Sequence, residues 1–128
     1  MRLFGIGIDV VEVERIEGSI AEFGEQFLER IFTENERAYC ERQRNPALHF
    51  AARFAAKEAV SKAFGTGIGE SVGWRDLEVV RKESGEPELR LYGRGKEYAE
   101  ERGVAEVKIS LTHARHYAAA NAVVMVAD

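Results

Sequence analysis

Five ionisable residues of this chain have the types and spacing to do chemistry. Arg53, Glu58 and Lys62 lie in the stretch Arg53-Phe54-Ala55-Ala56-Lys57-Glu58-Ala59-Val60-Ser61-Lys62-Ala63-Phe64-Gly65-Thr66-Gly67-Ile68-Gly69. Asp9 and His113 stand near the two ends of the chain. The stretch reads as a helix with Gly65 as its left-handed cap. At about 100° per residue, Ala51, Ala52, Ala55, Ala56, Ala59 and Ala63 share one side. Arg53, Lys57, Glu58, Ser61 and Lys62 spread over the other, a set that suits a polyanion with a divalent metal. The plainer reading is a solvated face, since Glu58 precedes Lys62 by the four residues that favour a surface pair. Two features weigh against it. Phe54 and Phe64 are mixed among the charges, and the Gly-x-Gly-x-Gly turn would let bare backbone approach a ligand. A phosphate-binding P-loop is excluded, because its glycines precede a helix and face the anion with the helix N-terminus. Here the glycines follow the helix, at its negative end, so a nearby phosphate would need side chains or metal.

Asp9 closes an expected strand over residues 2–9, where Ile6, Ile8 and Val10 alternate with Gly5, Gly7 and Asp9. The glycines leave one face bare, open to close approach. Asp9 reads equally as a metal ligand on a rigid strand end or as an N-cap boxed with Glu12 three residues on. His113 ends another expected strand, Val107 to Thr112, beside a tight turn; a lone histidine there can be structural or exposed. His49 and His116 suggest no role.

The elements that must position these residues alternate in type. Residues 11–31 carry an apolar helical stripe, with Gly18 and Gly24 expected to break or bend it. Thr33 and Glu36 form a capping box opening a helix to about Gln43. Asn45 and Pro46 start the central helix as cap and first turn. Residues 77–81 and 87–92 read as a hairpin, 94–102 as a helix, and Tyr117 to Val126 as a last apolar strand. The expected fold is one α+β domain over residues 1–128, with a mainly antiparallel sheet against the long central helix.

Bulk properties narrow the function. The chain has 128 residues, 45% hydrophobic and 31% charged, with net charge -4. That fits a soluble globular domain with a modest core. A single cysteine, Cys40, allows no intrachain disulfide and suits a reducing compartment. No signal peptide or spanning segment is evident, so the cytoplasm and no membrane partner are expected. Residues 10–41 hold nine Glu and three Arg, whereas residues 42–62 hold five Lys or Arg and one Glu. The basic block suits a small anion and is too short to favour nucleic acid.

Gly5-Ile6-Gly7-Ile8-Asp9, the central stretch from Arg53 to Gly69, and Ser110-Leu111-Thr112-His113 together resemble the holo-[acyl-carrier-protein] synthases. These are the short, single-domain 4′-phosphopantetheinyl transferases. The three motifs occur in order and span the first strand to the last hairpin. The resemblance implies the 4′-phosphopantetheinyl transferase fold and a homotrimer with active sites at subunit interfaces. It implies transfer of 4′-phosphopantetheine from coenzyme A to a serine of apo acyl carrier protein, in support of fatty acid biosynthesis. It assigns Asp9 and Glu58 to magnesium, and Asp9, Glu58, Lys62 and His113 to catalysis. It assigns Arg53, Lys57, Ser61, Lys62, Gly65 and Thr66 to coenzyme A, with Lys62 at the pyrophosphate, Arg53 near the 3′-phosphate and His113 near the nucleotide. One departure stands out. The family docks an acidic carrier on a basic first helix, whereas here Arg15 is accompanied by Glu14, Glu22 and Glu25. Like charge would weaken encounter, so either docking shifts partly to Arg30, Arg37 or Arg42, or the partner is less acidic than usual.

Overall fold

Two glycines decide how closely the first strand can approach the central helix. The computed structural model describes all residues, 1–128. Its elements run β1 (Arg2–Glu12), α1 (Val13–Phe23), α2 (Glu25–Ile31), α3 (Glu34–Glu41), α4 (Pro46–Phe64), a 3-10 turn (Trp74–Asp76), β2 (Leu77–Arg81), β3 (Pro87–Leu91), α5 (Gly93–Glu101), β4 (Val104–His113) and β5 (Tyr117–Val126). Strands β1, β5 and β4 form an antiparallel sheet in that order, and β2 pairs with β3 in a separate hairpin. This is the expected α+β fold, with the antiparallel pairing divided between two sheets.

Helix α4 lies across the larger sheet. A Cβ built on Gly5 would fall on the Ala63 carbonyl, and one on Gly7 on the Ala59 carbonyl. Backbone therefore meets backbone, which only the smallest residues permit. The alanines from Ala51 to Ala63 are all buried on the helix side of this contact. The other face of β1 is apolar and bare: Ile6, Ile8 and Val10 are 69%, 66% and 59% exposed.

Three local expectations change. Strand β1 does not stop at Asp9, because Val10 and Val11 go on pairing with Ala119 and Ala118. Asp9 is therefore inside the strand, the helix starts at Val13, and no capping box forms with Glu12. The long helix after it breaks at Gly24, which has a φ of 53°; Gly18 stays within α1 in open space. Asn45 makes no side-chain cap on α4, leaving Pro46 to open the helix. The Thr33–Glu36 capping box is present as expected, and Gly65 closes α4 in the left-handed conformation.

The polar side expected on α4 is largely interior. Arg53, Lys57 and Ser61 are buried with the alanines. The Lys57 ammonium is fully enclosed and donates to the carbonyls of Ile31, Trp74 and Leu77 at 2.9, 3.0 and 2.7 Å. It also pairs with Glu36 at 2.7 Å. Burial pulls its pKa below the ordinary lysine value, and the Glu36 carboxylate opposes that pull. Glu36 in turn accepts from the Val79 and Thr33 amides at 2.7 and 2.9 Å. Glu78 beside it accepts from Thr33, Asn35 and Tyr92. One cation thus ties the end of α2, the start of α3, the 3-10 turn and β2 to α4.

Two stability predictions follow from these contacts. Gly7→Ala should cost about 1–3 kcal/mol by overpacking against Ala59, read as a lower urea midpoint; an unchanged midpoint would mean the two backbones are not in contact. Lys57→Met should cost about 3–5 kcal/mol by leaving Glu36 charged and unpaired in the core. Adding Glu36→Gln should recover part of that loss, and no recovery would show that the charge pair is not its source.

Candidate active site

The tight contact of β1 on α4 fixes what lies two residues further along the strand. Asp9 shares the inward face with Gly7 by the two-residue period of a strand. There its Oδ1 meets the Lys62 Nζ at 3.1 Å. The same ammonium donates to the Ile8 carbonyl at 3.0 Å. Glu58, one turn earlier on α4, joins them. Burial pushes its carboxyl above the ordinary range, the Asp9 charge adds to that, and Lys62 opposes it. Asp9, Glu58 and Lys62 are therefore one electrostatic unit: two carboxylates, only one of them matched by a cation.

That donor set fits a hard divalent ion. Magnesium is commonly held by one or two carboxylates and completed by water and substrate phosphates. No group of three or more histidine, cysteine or acidic side chains occurs that could enclose a metal by itself. Asp9 and Glu58 are the residues that would hold magnesium. Gly65 and Thr66 lie just past Lys62, where Gly65 is exposed and Thr66 half-buried. The Thr66 hydroxyl donates to the Gly67 carbonyl at 2.8 Å.

A second cluster lies nearer the start of α4. Arg53 is only 5% exposed, and its buried Nε has no hydrogen-bond partner. Its guanidinium sits 4.2 Å over the Tyr39 ring. The Tyr39 hydroxyl accepts from Arg81 Nη1 at 2.9 Å. The Tyr39 ring meets His49 edge-on at 5.9 Å, and His49 meets His113 at 5.7 Å. Burial lowers the His49 pKa, and the nearby His113, Arg53 and Arg81 charges act in the same direction. These side chains line a cleft of about 190 Å³. An unpaired, nearly buried guanidinium is costly without an anion, so the cleft is built to receive one.

The two clusters are not adjacent within one chain. Arg53 and Glu58 are five positions apart, about 140° around the helix. His113 also falls with Arg53 rather than with Asp9. It pairs with Ala118 on β5, whereas Asp9 pairs with Ala120.

Two sequence-based assignments need correction. Lys57 was expected to contact coenzyme A, but its ammonium is enclosed by three carbonyls and Glu36. Ser61 was expected there too, but it is fully buried and donates back to the Glu58 carbonyl at 2.8 Å. Neither faces a cleft. Conversely, Tyr39, His49 and Arg81 were not singled out. His49 and Arg53 are four apart on α4, a same-face spacing that could have linked them.

Both the sequence and the fold match known proteins. Residues 5–122 match the model of the 4′-phosphopantetheinyl transferase superfamily. The chain is 46% identical to the holo-[acyl-carrier-protein] synthase of Ruminiclostridium cellulolyticum, over 96% of this chain and 92% of that one. Its fold superposes on the crystal structure of that enzyme from Neisseria meningitidis with a TM-score of 0.90, at 33% identity, covering 96% and 98% of the two chains. A synthase from Bacillus anthracis, solved in complex with CoA (3′,5′-ADP), gives a TM-score of 0.83 at 36% identity, covering 99% and 100%. With the matched region running from the glycine strand through the last hairpin, the chain belongs to the holo-[acyl-carrier-protein] synthase family of the 4′-phosphopantetheinyl transferase superfamily.

Proposed function

We propose that this protein moves the 4′-phosphopantetheine arm of coenzyme A onto a serine hydroxyl of apo acyl carrier protein, in support of fatty acid biosynthesis. The serine oxygen forms a bond to the arm's phosphorus as its proton passes to solvent, the anhydride P–O bond breaks, and adenosine 3′,5′-bisphosphate leaves with the bonding electron pair. The observation that carries this reading is the convergence of Asp9, Glu58 and Lys62 at the backbone contact of β1 with α4. Lys62 offsets charge on the pyrophosphate as the anhydride breaks. Asp9 and Glu58 hold magnesium, which supplies Lewis-acid charge stabilisation when bound. Gly65 and Thr66 border the same phosphates. Arg53 receives the anionic nucleotide end, and His113 belongs beside it rather than at the carboxylates of its own chain.

The separation of the two clusters supports a homotrimer whose sites form between subunits. Arg53 of one subunit and Asp9 of its neighbour would then serve one coenzyme. The bare Ile6, Ile8 and Val10 face of β1 provides an apolar surface for that assembly. For carrier docking, Arg15 is exposed on α1. Arg30 lines a cavity of about 490 Å³ with Phe23, Phe27 and Trp74. Arg37 pairs with Glu25 at 2.8 Å, which offsets one acidic residue of the surface. We place the reaction in the cytoplasm. No helix is long and apolar enough to cross a membrane, and Cys40 is a packing residue whose thiol burial pushes up to about 12.

Asp9→Ala and Glu58→Ala should each lower transfer at least about 100-fold, through loss of an oxygen ligand from a site with two. The assay weighs apo carrier protein by mass spectrometry after incubation with coenzyme A and magnesium. Near wild-type mass gain in either variant would remove that residue from the metal site. Co-expressing Asp9→Ala with Arg53→Ala tests the shared site. Random mixing in a closed ring should restore about a quarter of the wild-type rate, because each interface needs one intact partner of each kind. No restoration would mean that every site lies within one chain.

A further inference from the structure

We infer that Tyr39 is the residue that positions the cations reading the 3′-phosphate of coenzyme A, and so sets the preference for coenzyme A over its 3′-dephospho form. This rests on the reading of the Arg53 cleft as the nucleotide end of the coenzyme site. The pyrophosphate is allotted to Lys62 and the carboxylates, so the remaining anionic group needs its own cations. Arg53 and Arg81 are the two guanidiniums lining the cleft, and neither forms an ion pair with a carboxylate.

Tyr39 holds both by different means. Its ring carries the Arg53 guanidinium at 4.2 Å, an attraction that strengthens where water is excluded. Its hydroxyl takes the Arg81 Nη1–H at 2.9 Å. That bond brings a guanidinium from the end of β2 towards one from the middle of α4. Fixed in this way, two planar donors face one anion without first having to be ordered. The ring also abuts His49, which abuts His113, so two further lining residues of the cleft lean directly or indirectly on this side chain. Tyr39 is itself half-buried and packs against the hydrophobic core.

The test compares coenzyme A with 3′-dephospho-coenzyme A as donors for wild type, Tyr39→Phe and Tyr39→Leu. Tyr39→Phe keeps the ring under Arg53 and frees Arg81. It should raise KM for coenzyme A about fivefold, in line with the loss of one ordinary net hydrogen bond. Tyr39→Leu also removes the ring and should raise KM by at least about tenfold. In both variants kcat and the KM for the dephospho donor should stay near wild type, so the discrimination ratio collapses. Calorimetry with adenosine 3′,5′-bisphosphate and with adenosine 5′-monophosphate gives a readout without turnover. Only the bisphosphate should lose affinity. Equal losses for both donors, or no loss, would overturn the role of Tyr39 while leaving the transferase reading intact. A wild type that modifies no carrier would instead overturn the transferase reading and the inference with it. If Tyr39→Leu does not fold, Tyr39→Phe, which retains the ring, decides alone.

Discussion

The approach of β1 to α4 is the contact on which the rest of the structure depends. Glycines at positions 5 and 7 let the strand backbone rest on the carbonyls of Ala59 and Ala63. A side chain at either position would force strand and helix apart. Asp9 would then move away from Lys62 and Glu58, since it is carried two residues along the same rigid strand. The distance between the carboxylates is thus set by backbone packing rather than by flexible side chains. Catalytic groups held on regular elements in this way lose little entropy on binding their ligands.

The buried Lys57 ammonium performs a related task on the opposite side of α4. Its acceptors come from four separate segments, none of which packs extensively on the sheet. A hydrophobic residue could fill the space but would remove the cation facing the Glu36 carboxylate and the ammonium donor to three carbonyls. Leaving such groups unpaired is more costly than the net gain from satisfying them. The ion is therefore better understood as a junction that fixes which segments meet than as a source of large net stability. It lies next to Glu58 in sequence, so the rotational setting of α4 that buries one presents the other.

Much of this was legible in the sequence, where the determinants are local. The Thr33–Glu36 box, the Gly65 cap and the alternation of β1 can each be read within a few residues. The grouping of Asp9, Glu58 and Lys62 was also available, through motif resemblance rather than periodicity. Burial of charge was not. Lys57 looks like a solvent-facing residue until acceptors as distant as Ile31 and Leu77 are brought to it, and Ser61 is covered by the same packing while it bonds back to the Glu58 carbonyl. The end of β1 was misjudged because the decision lies with its partner: Ala118 and Ala119 extend the ladder past Asp9. The Arg53 cleft was half visible, since Tyr39 on α3 and Arg81 on β2 meet Arg53 only in three dimensions.

The unpaired guanidinium of Arg53 has a consequence for the order of events in a catalytic cycle. On the proposed reading, it holds the part of the donor that is discarded. The leaving nucleotide retains the phosphate that Arg53 and Arg81 hold, so their attraction is nearly the same before and after the bond breaks. Such binding helps capture the donor and does not lower the chemical barrier. It also makes the spent nucleotide a natural competitor for the vacated cleft. The spent nucleotide would therefore raise the apparent KM for the donor, and the enzyme would slow wherever adenosine 3′,5′-bisphosphate accumulates faster than fresh coenzyme A can displace it.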